Sequence, residues 1–308
     1  MNVDRRQAME KIVGFAGMAA GAAAVSPALL ASDTCPTDGA IGIGSAGGQE
    51  LGNNLLQYVN LDPMSVARRA YAGYGRGGCM YGVFDAIIKE LSIQGHEDAC
   101  NFAAIPTNIT IYGGGGVKGW GSICGCVNAA AMAVNILGGI EQSAVVDAIN
   151  RYYEKTPMPR GDQEFLTAIG APTRQTDDGR PLNAELIGQS VAKSILCHTS
   201  VSNWSSVSKF GAGHAAKLER CAQVTAEVAF ITVDFLNQSL AGTLTAERKA
   251  STNTECGSCH QPTAREPEQY IGSDVNAKME CQTCHSSHEQ LAAIPDHADN
   301  GSCQSCHK

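Results

Sequence analysis

The sequence predicts an all-α helical body, followed by an irregular C-terminal segment that lacks a side-chain core of its own. Apolar residues recur at helical spacing through the middle of the chain, and no stretch alternates apolar and polar residues as a half-buried strand does. Large aliphatic residues become scarce after Leu240, where Thr, Ser, Pro and Gln are scattered instead. Such a composition cannot bury enough apolar surface to order the last part of the 308-residue chain by itself.

The first 31 residues have the pattern of an export signal. Arg5 and Arg6 lie in a short charged segment, an uncharged run rich in Ala and Gly begins at Ile12, and small residues end it at Ala31. Paired arginines are typical of the twin-arginine pathway, which exports folded proteins to the periplasm. An uncleaved anchor is the alternative. No later stretch is apolar for long enough to cross a membrane, so no span is expected in the mature chain.

The helical body is predicted over residues 32–245. Helices are expected, in chain order, around residues 79–91, 120–137, 140–153, 186–198 and 212–239. Prolines and aspartates between residues 154 and 184 predict a long irregular connection. In the last helix, a core-facing stripe is predicted at Leu218, Cys221, Thr225, Val228, Thr232 and Phe235.

Residues 246–308 contain three CxxCH motifs, the attachment sequence for c-type haem. Two thioethers tether the porphyrin, and the adjacent histidine is thereby forced under the iron as its axial ligand. A zinc site or a thioredoxin-like dithiol does not explain a histidine directly after every cysteine pair. Three covalent porphyrins also supply the missing apolar core. The residues assigned to attachment and axial ligation are Cys256, Cys259, His260, Cys281, Cys284, His285, Cys303, Cys306 and His307.

The second axial ligands of the three haems are expected to be mostly histidines. His288 lies three residues after the axial His285, and His297 lies between the second and third motifs. The third haem takes its ligand from the body, where His214 and His198 are candidates, or from another subunit, or its iron stays open. A core histidine is the alternative reading of His214. Mostly bis-histidine ligation predicts low reduction potentials.

Seven further cysteines lie outside the haem motifs, and none of them forms a CxxC pair. Buried free thiols, disulfides, and an iron–sulfur cluster held by four of them are the alternatives that the residues leave open. The seven positions are Cys35, Cys79, Cys100, Cys124, Cys126, Cys197 and Cys221.

A resemblance to a known family narrows these alternatives. The run of glycines before Gly121-Ser-Ile-Cys124-Gly-Cys126-Val-Asn-Ala129 resembles the CGAxxG motif of a redox family with four characteristic cysteines. The stretches Cys197-His-Thr-Ser-Val-Ser-Asn-Trp204 and Glu219-Arg-Cys221-Ala222, with the haem motifs behind an export signal, resemble the split-Soret cytochromes c over residues 60–308. The resemblance implies a homodimer with stacked haems near its interface, and a cluster held by Cys79, Cys124, Cys197 and Cys221.

The chain departs from this family's pattern in two places. The alanine of the motif is Cys126 and its last glycine is Ala129, so Cys126 is either a bystander or an alternative ligand. Three haem motifs stand where split-Soret cytochromes carry two. The glycines at 113–116 lack the GK[ST] sequence and the strand–helix setting of a phosphate loop, so a tight turn or close backbone approach is expected there.

These observations predict a periplasmic electron-transfer protein with three c-type haems and an iron–sulfur cluster, which relays electrons between redox protein partners. The net charge of −8 argues against nucleic acid as a partner. No side-chain constellation points to a substrate reaction, so an electron carrier is favoured over an enzyme. A multihaem reductase with one open-coordinate haem is the alternative, and a filament-forming cytochrome is a third class. The expected domains are a signal at 1–31, a helical iron–sulfur domain at 32–245 and a trihaem domain at 246–308.

Overall fold

A computed structural model describes residues 55–171, 175, 179, 187–248, 256, 260, 266–267 and 275–285 of the chain. The expected export signal and Cys35 lie outside these residues. So do Cys259, His288, His297 and the whole third haem motif with Cys303, Cys306 and His307.

The first long helix, α1, spans Pro63–Ile93 and is broken near its middle. Asp62 caps its N-terminus by accepting hydrogen bonds from the amides of Met64 and Ser65, and Pro63 suits the first turn because its missing N–H has no partner there. Gly78 has φ 81° and ψ −171°, a conformation that favours glycine, and it interrupts the helix. Cys79 therefore begins the second half of α1.

The remaining elements are mostly helical. After α1 come α2 (Ala99–Ala103), a 3₁₀ segment (Thr107–Gly113), α3 (Gly125–Asn135), α4 (Gln142–Lys155), α5 (Gln163–Ile169), α6 (Cys197–Ser208) and α7 (Ala215–Leu240). Two small ladders tie the connections together. Strand β1 (Leu56–Gln57) pairs in parallel with β2 (Leu137–Gly138), and β3 (Pro157–Met158) pairs antiparallel with β4 (Ser190–Val191).

The prediction of an all-α body is confirmed, and the last helix lies close to its expected bounds. The helix expected from residue 120 begins five residues later at Gly125, because glycines with positive φ occupy the loop before it. The region 154–184 is not wholly irregular, since α5 forms there behind an Asp162 cap. The helix expected over 186–198 is wrong: β4 and an extended stretch occupy these residues, and α6 begins only at Cys197.

The core is built around α7, which is buried on nearly all sides. Residues of α1, α3, α4 and α7 form one continuous apolar cluster. The predicted stripe on α7 is correct for Thr225, Val228 and Thr232, which are fully buried, but wrong for Leu218, which is 47% exposed. Leu218 lies in the first turn of α7, before the helix enters the core. In the described part of the chain, no helix combines the length and apolarity needed to cross a membrane.

A buried carboxyl group lies in this core. Glu227 on α7 accepts hydrogen bonds from the Tyr152 hydroxyl at 2.8 Å and from the Arg160 amide at 2.6 Å. Burial raises the pKa of Glu227 from 4.5 to about 7, and these hydrogen bonds offset only part of the rise. The folded protein therefore retains a proton here that the unfolded chain has already released.

We expect this proton to make the folded state less stable as the pH rises. Below pH 4.5 the Glu227 carboxyl is protonated in both the folded and the unfolded state. Between pH 4.5 and about 7 it ionises only in the unfolded chain, so the free energy of unfolding falls. Above about pH 7 the carboxyl is ionised in both states, and the free energy of unfolding no longer changes with pH on its account. The fall attributable to Glu227 is about 3 kcal/mol. Urea unfolding of the wild-type protein and Glu227→Gln between pH 5 and 8 measures it: the difference in unfolding free energy between them should change with pH. If the unfolding free energies of the two proteins changed with pH in parallel, the raised pKa of Glu227 would be contradicted.

Candidate redox site

The site begins where two chain segments meet at the starts of α3 and α6. Ile123 and Leu196 form an antiparallel bridge, and the Cys124 amide donates to the Ile195 carbonyl at 2.8 Å. The Cys197 amide in turn donates to the Ser122 carbonyl at 2.7 Å. This pairing places Cys124 at the N-cap of α3 and Cys197 at the first position of α6.

Five cysteines from four segments line one pocket of about 60 Å³. Cys79 follows the break in α1, Cys124 and Cys126 begin α3, Cys197 begins α6, and Cys221 lies in the second turn of α7. The first three are buried, whereas Cys197 and Cys221 are partly exposed. The four cysteines proposed from sequence are therefore brought together, and Cys126 joins them.

Glycines allow the segments to approach this closely. A Cβ atom on Gly125 would lie 2.6 Å from the Cys79 sulfur and 2.8 Å from the Gly113 carbonyl oxygen. A Cβ on Gly113 would lie 2.0 Å from the Met80 sulfur. The close backbone approach expected for the glycines at 113–116 is confirmed.

The buried thiols hydrogen-bond one another. Hydrogen bonds from Cys126 and then Cys79 hold the pKa of Cys124 well below its ordinary value of 9.0, and Tyr153 adds a further bond. The same contacts with Cys124 raise the pKa of Cys126 and of Cys79. Cys124 is thus the thiol of the group that loses its proton most readily. Its position at a helix N-terminus also favours negative charge.

The sulfurs are the ligand type that an iron–sulfur group would need. In the part of the chain that the structure describes, no group of three or more His, Cys, Asp or Glu side chains is arranged to hold a single metal ion. Iron–sulfur clusters are instead held by cysteine thiolates arranged around several atoms. Three of the cysteines begin helical segments, where the backbone partial charge suits an anionic group. Because residue 125 is glycine, no side chain fills the space between Cys79 and the start of α3.

Four polar or charged side chains of the pocket were missed from the sequence: Tyr74, Tyr153, Lys217 and Arg220. Tyr153 donates to the Ser200 hydroxyl at 2.9 Å, and Tyr74 hydrogen-bonds Cys221. The sequence offers one signal that could have found Arg220: it directly precedes Cys221, a candidate ligand, in a helix that was expected to face the core.

The second haem motif lies against α4. Lys278 forms an ion pair with Asp147 at 2.9 Å, and the Glu280 amide donates to the Glu154 carboxylate at 3.0 Å. The Thr283 hydroxyl donates to the Lys193 carbonyl. The motif is therefore held by residues adjacent to those that line the cysteine pocket, since Tyr153 directly precedes Glu154.

The first and second haem motifs touch each other. The thiols of Cys256 and Cys281 hydrogen-bond, and burial followed by the charge of Cys256 raises the pKa of Cys281. The Val275 amide donates to the His260 carbonyl at 2.9 Å. Cys284 and His285 complete the second motif, with Cys284 exposed. Two attachment points consequently lie side by side.

The two body histidines named as haem ligands have opposite ring tautomers. His198 donates from Nδ1 to the Gly121 carbonyl at 2.9 Å, which leaves a lone pair on Nε2, 3.2 Å from the Thr199 hydroxyl. His214 accepts at Nδ1 from the Ala216 amide at 3.1 Å and caps α7. Ligation through Nε2 of His214 would need the proton on Nδ1, so this cap bond would be lost.

Comparisons with known proteins relate the chain to redox proteins and cytochromes c. Residues 79–235 match the family described as "Putative redox-active protein (C_GCAxxG_C_C)", and residues 243–308 match "Cytochrome c7 and related cytochrome c". The split-Soret cytochrome c of Desulfovibrio desulfuricans (strain ATCC 27774 / DSM 6949 / MB) is 29% identical over 301 residues, covering 93% of this chain and 95% of that protein. A solved structure, "A novel iron centre in the split-Soret cytochrome c from Desulfovibrio desulfuricans ATCC 27774", has a TM-score of 0.60 and 26% identity, covering 79% of this chain and 94% of that chain.

Proposed function

Because the chain belongs to the C_GCAxxG_C_C family and is a homologue of split-Soret cytochrome c, we propose that this multihaem electron-transfer protein carries three covalent c-type haems and an iron–sulfur cluster. One observation carries the proposal: five cysteines share a pocket whose wall, α4, also holds the second haem motif. The protein relays single electrons between redox protein partners.

Cys79, Cys124, Cys197 and Cys221 are the proposed cluster ligands. They come from four separate segments, and the related split-Soret cytochrome c structure is described as having a novel iron centre. A bound iron–sulfur cluster supplies one-electron transfer. Cys126 is left outside this set because it stands where the family's motif has alanine, and its sulfur lies 3.6 Å from the Thr225 hydroxyl.

The haems occupy the proposed domain at 246–308, behind the proposed helical domain at 32–245. The three CxxCH motifs attach them, with His288 and His297 as distal ligands of two. For the third, the tautomer of His198 suits iron ligation through Nε2 better than that of His214. The contact between Cys256 and Cys281 supports two closely spaced haems.

The short connection through α4 supports electron exchange between the two kinds of cofactor. Tyr153 hydrogen-bonds Cys124 on one side of the helix, while Glu154 binds the backbone of Glu280 just before the second haem motif. The Lys193 amide also donates to the Glu154 carbonyl at 2.8 Å, two residues before Ile195, which holds Cys124.

Export to the periplasm by the twin-arginine route is part of the proposal. Cys100 is disulfide-bonded, which supports an oxidising compartment. A homodimer is also proposed. The loop before α3 exposes Trp120 by 86%, and Ile111 and Tyr112 are exposed nearby in sequence, which is the kind of apolar surface that subunit contacts cover.

An electron carrier is distinguished from a multihaem reductase by the spin state of its haems. We expect an oxidised optical spectrum of uniformly low-spin haems that does not change on addition of cyanide, nitrite or sulfite, because each iron has two protein ligands. The spectrum and its ligand titration measure this. A high-spin band that shifts with any of these ligands would favour the reductase.

A further inference from the structure

A buried arginine faces the cysteine pocket. Arg220, in the second turn of α7, is only 2% exposed and lines the pocket beside Cys221. Its Nη2 atom donates to the Ser200 hydroxyl at 2.7 Å, and Nη1 lies 3.9 Å from the Cys221 sulfur. Its Nε atom is buried with no hydrogen-bond partner among the described residues. The guanidinium is therefore held in place, but not all of its N–H groups have a hydrogen-bond acceptor.

No carboxylate lies within ion-pair distance of Arg220 in the part of the chain that the structure describes. The preceding Glu219 carboxylate instead binds the hydroxyl of Tyr71 at 2.5 Å and the amide of Gln223 at 2.9 Å. A buried cation without a counter-charge costs several kcal/mol. The structure thus contains a positive charge that calls for an anion in the pocket.

Groups of the pocket have the largest effect on Arg220, although the charge of Arg220 also reaches the buried Glu227 carboxyl and lowers its pKa, against the larger rise caused by burial. Burial lowers the pKa of Arg220, but the charges of Cys221, Tyr153 and Cys124 outweigh this effect and raise it. Two of these three are proposed ligands, and thiolates bound to a metal are deprotonated outright. Four thiolates around the pocket would supply the anion that Arg220 lacks.

We propose that Arg220 is the buried counter-ion of the iron–sulfur centre and raises its reduction potential. The inference rests on the proposed function. When one electron passes from a ferrous haem to the oxidised centre, the haem iron becomes ferric and the centre gains one negative charge. The fixed guanidinium lies against that added charge, so it stabilises the reduced state more than the oxidised one, and no proton moves. Arg220 ligates nothing; it acts through the field at Cys221.

Lys217 offers a matched control on the same helix. It lies one turn before Arg220, lines the same pocket and lowers the pKa of Cys197 by its charge. Unlike Arg220 it is partly exposed. Its effect is therefore screened by salt, whereas that of a buried charge is not.

The test compares Arg220→Met, Arg220→Lys and Lys217→Met as full-length, cofactor-loaded proteins. Redox-poised electron paramagnetic resonance gives the ratio of reduced to oxidised centre at fixed solution potentials, in low and high salt. Arg220→Met should lower that ratio at least tenfold at either salt concentration, a shift of about 59 mV for one electron. Arg220→Lys should stay close to wild type. Lys217→Met should show a smaller shift that disappears in high salt.

Several results would overturn the inference. Arg220→Met with the wild-type potential, or equal shifts in the methionine and lysine variants, would show that the charge is irrelevant. Loss of the centre in both variants would assign Arg220 to packing, whereas loss in Arg220→Met alone would support the counter-ion role. A wild-type protein without a non-haem iron signal would contradict the proposed function and this inference with it, and that result is recognised before any variant is compared.

Discussion

Replacing both cysteines of the second haem motif, Cys281→Ala with Cys284→Ala, should lower the covalent haem content from three per chain to two. The thioether bonds form only to these two sulfurs, and the adjacent His285 cannot retain a porphyrin covalently. The variant should also weaken the attachment of the tail to α4, because Lys278 and Glu280, which bind Asp147 and Glu154, lie just before this motif. Pyridine haemochrome absorbance per chain and the intact mass of the mature protein measure the haem number.

A cysteine outside the haem motifs provides the control for this experiment. Cys126→Ser should keep three haems, since Cys126 contacts Thr225 in the helical body. A wild-type protein with only two haems would contradict the assignment of the third motif. It would then match the two motifs expected for the split-Soret family.

The second large effect concerns iron that is not haem. The wild-type protein should contain more iron than its three haems account for, together with acid-labile sulfide, and Cys124→Ser should reduce the iron to the haem content alone. Cys124 has the lowered pKa among the pocket thiols and is the N-cap of α3, so its loss removes both a proposed ligand and a favourable position for negative charge. Total iron, labile sulfide and haem are determined on the same sample.

Two further variants test the proposed ligand set. Cys197→Ser should also lose the extra iron, although Cys197 is only partly buried, while Cys126→Ser should keep it. If the extra iron were lost with Cys126→Ser but kept with Cys124→Ser, Cys126 would be the ligand and Cys124 would not. A ratio of three irons in the wild-type protein would refute the cluster.

Helical periodicity predicted the body well where a helix has one buried face and poorly where it does not. The bounds of α7 were close to those predicted, but its stripe failed at Leu218, because this residue lies in the first turn, before the helix enters the core. An apolar stretch at Ile195 and Leu196 resembles a helix in sequence, yet its backbone pairs with residues 122–124. Patterns of neighbouring residues in the sequence do not reveal a pairing segment that lies far away in the chain. The seven residues of α5 are likewise too few for a periodic signal.

The haem chemistry could be predicted from the sequence alone, because CxxCH is a contiguous motif whose five residues attach and ligate a porphyrin wherever they lie in a fold. The fold was needed to show which body cysteines meet, that Cys126 lies among them, and that Arg220 lines the pocket with no ion-paired carboxylate among the described residues. These facts depend on contacts between α1, α3, α6 and α7, which are far apart in the chain. Burial explains why these contacts are important. Because the pocket excludes water, charges on its thiols and its guanidinium interact more strongly and can change the redox chemistry of the site.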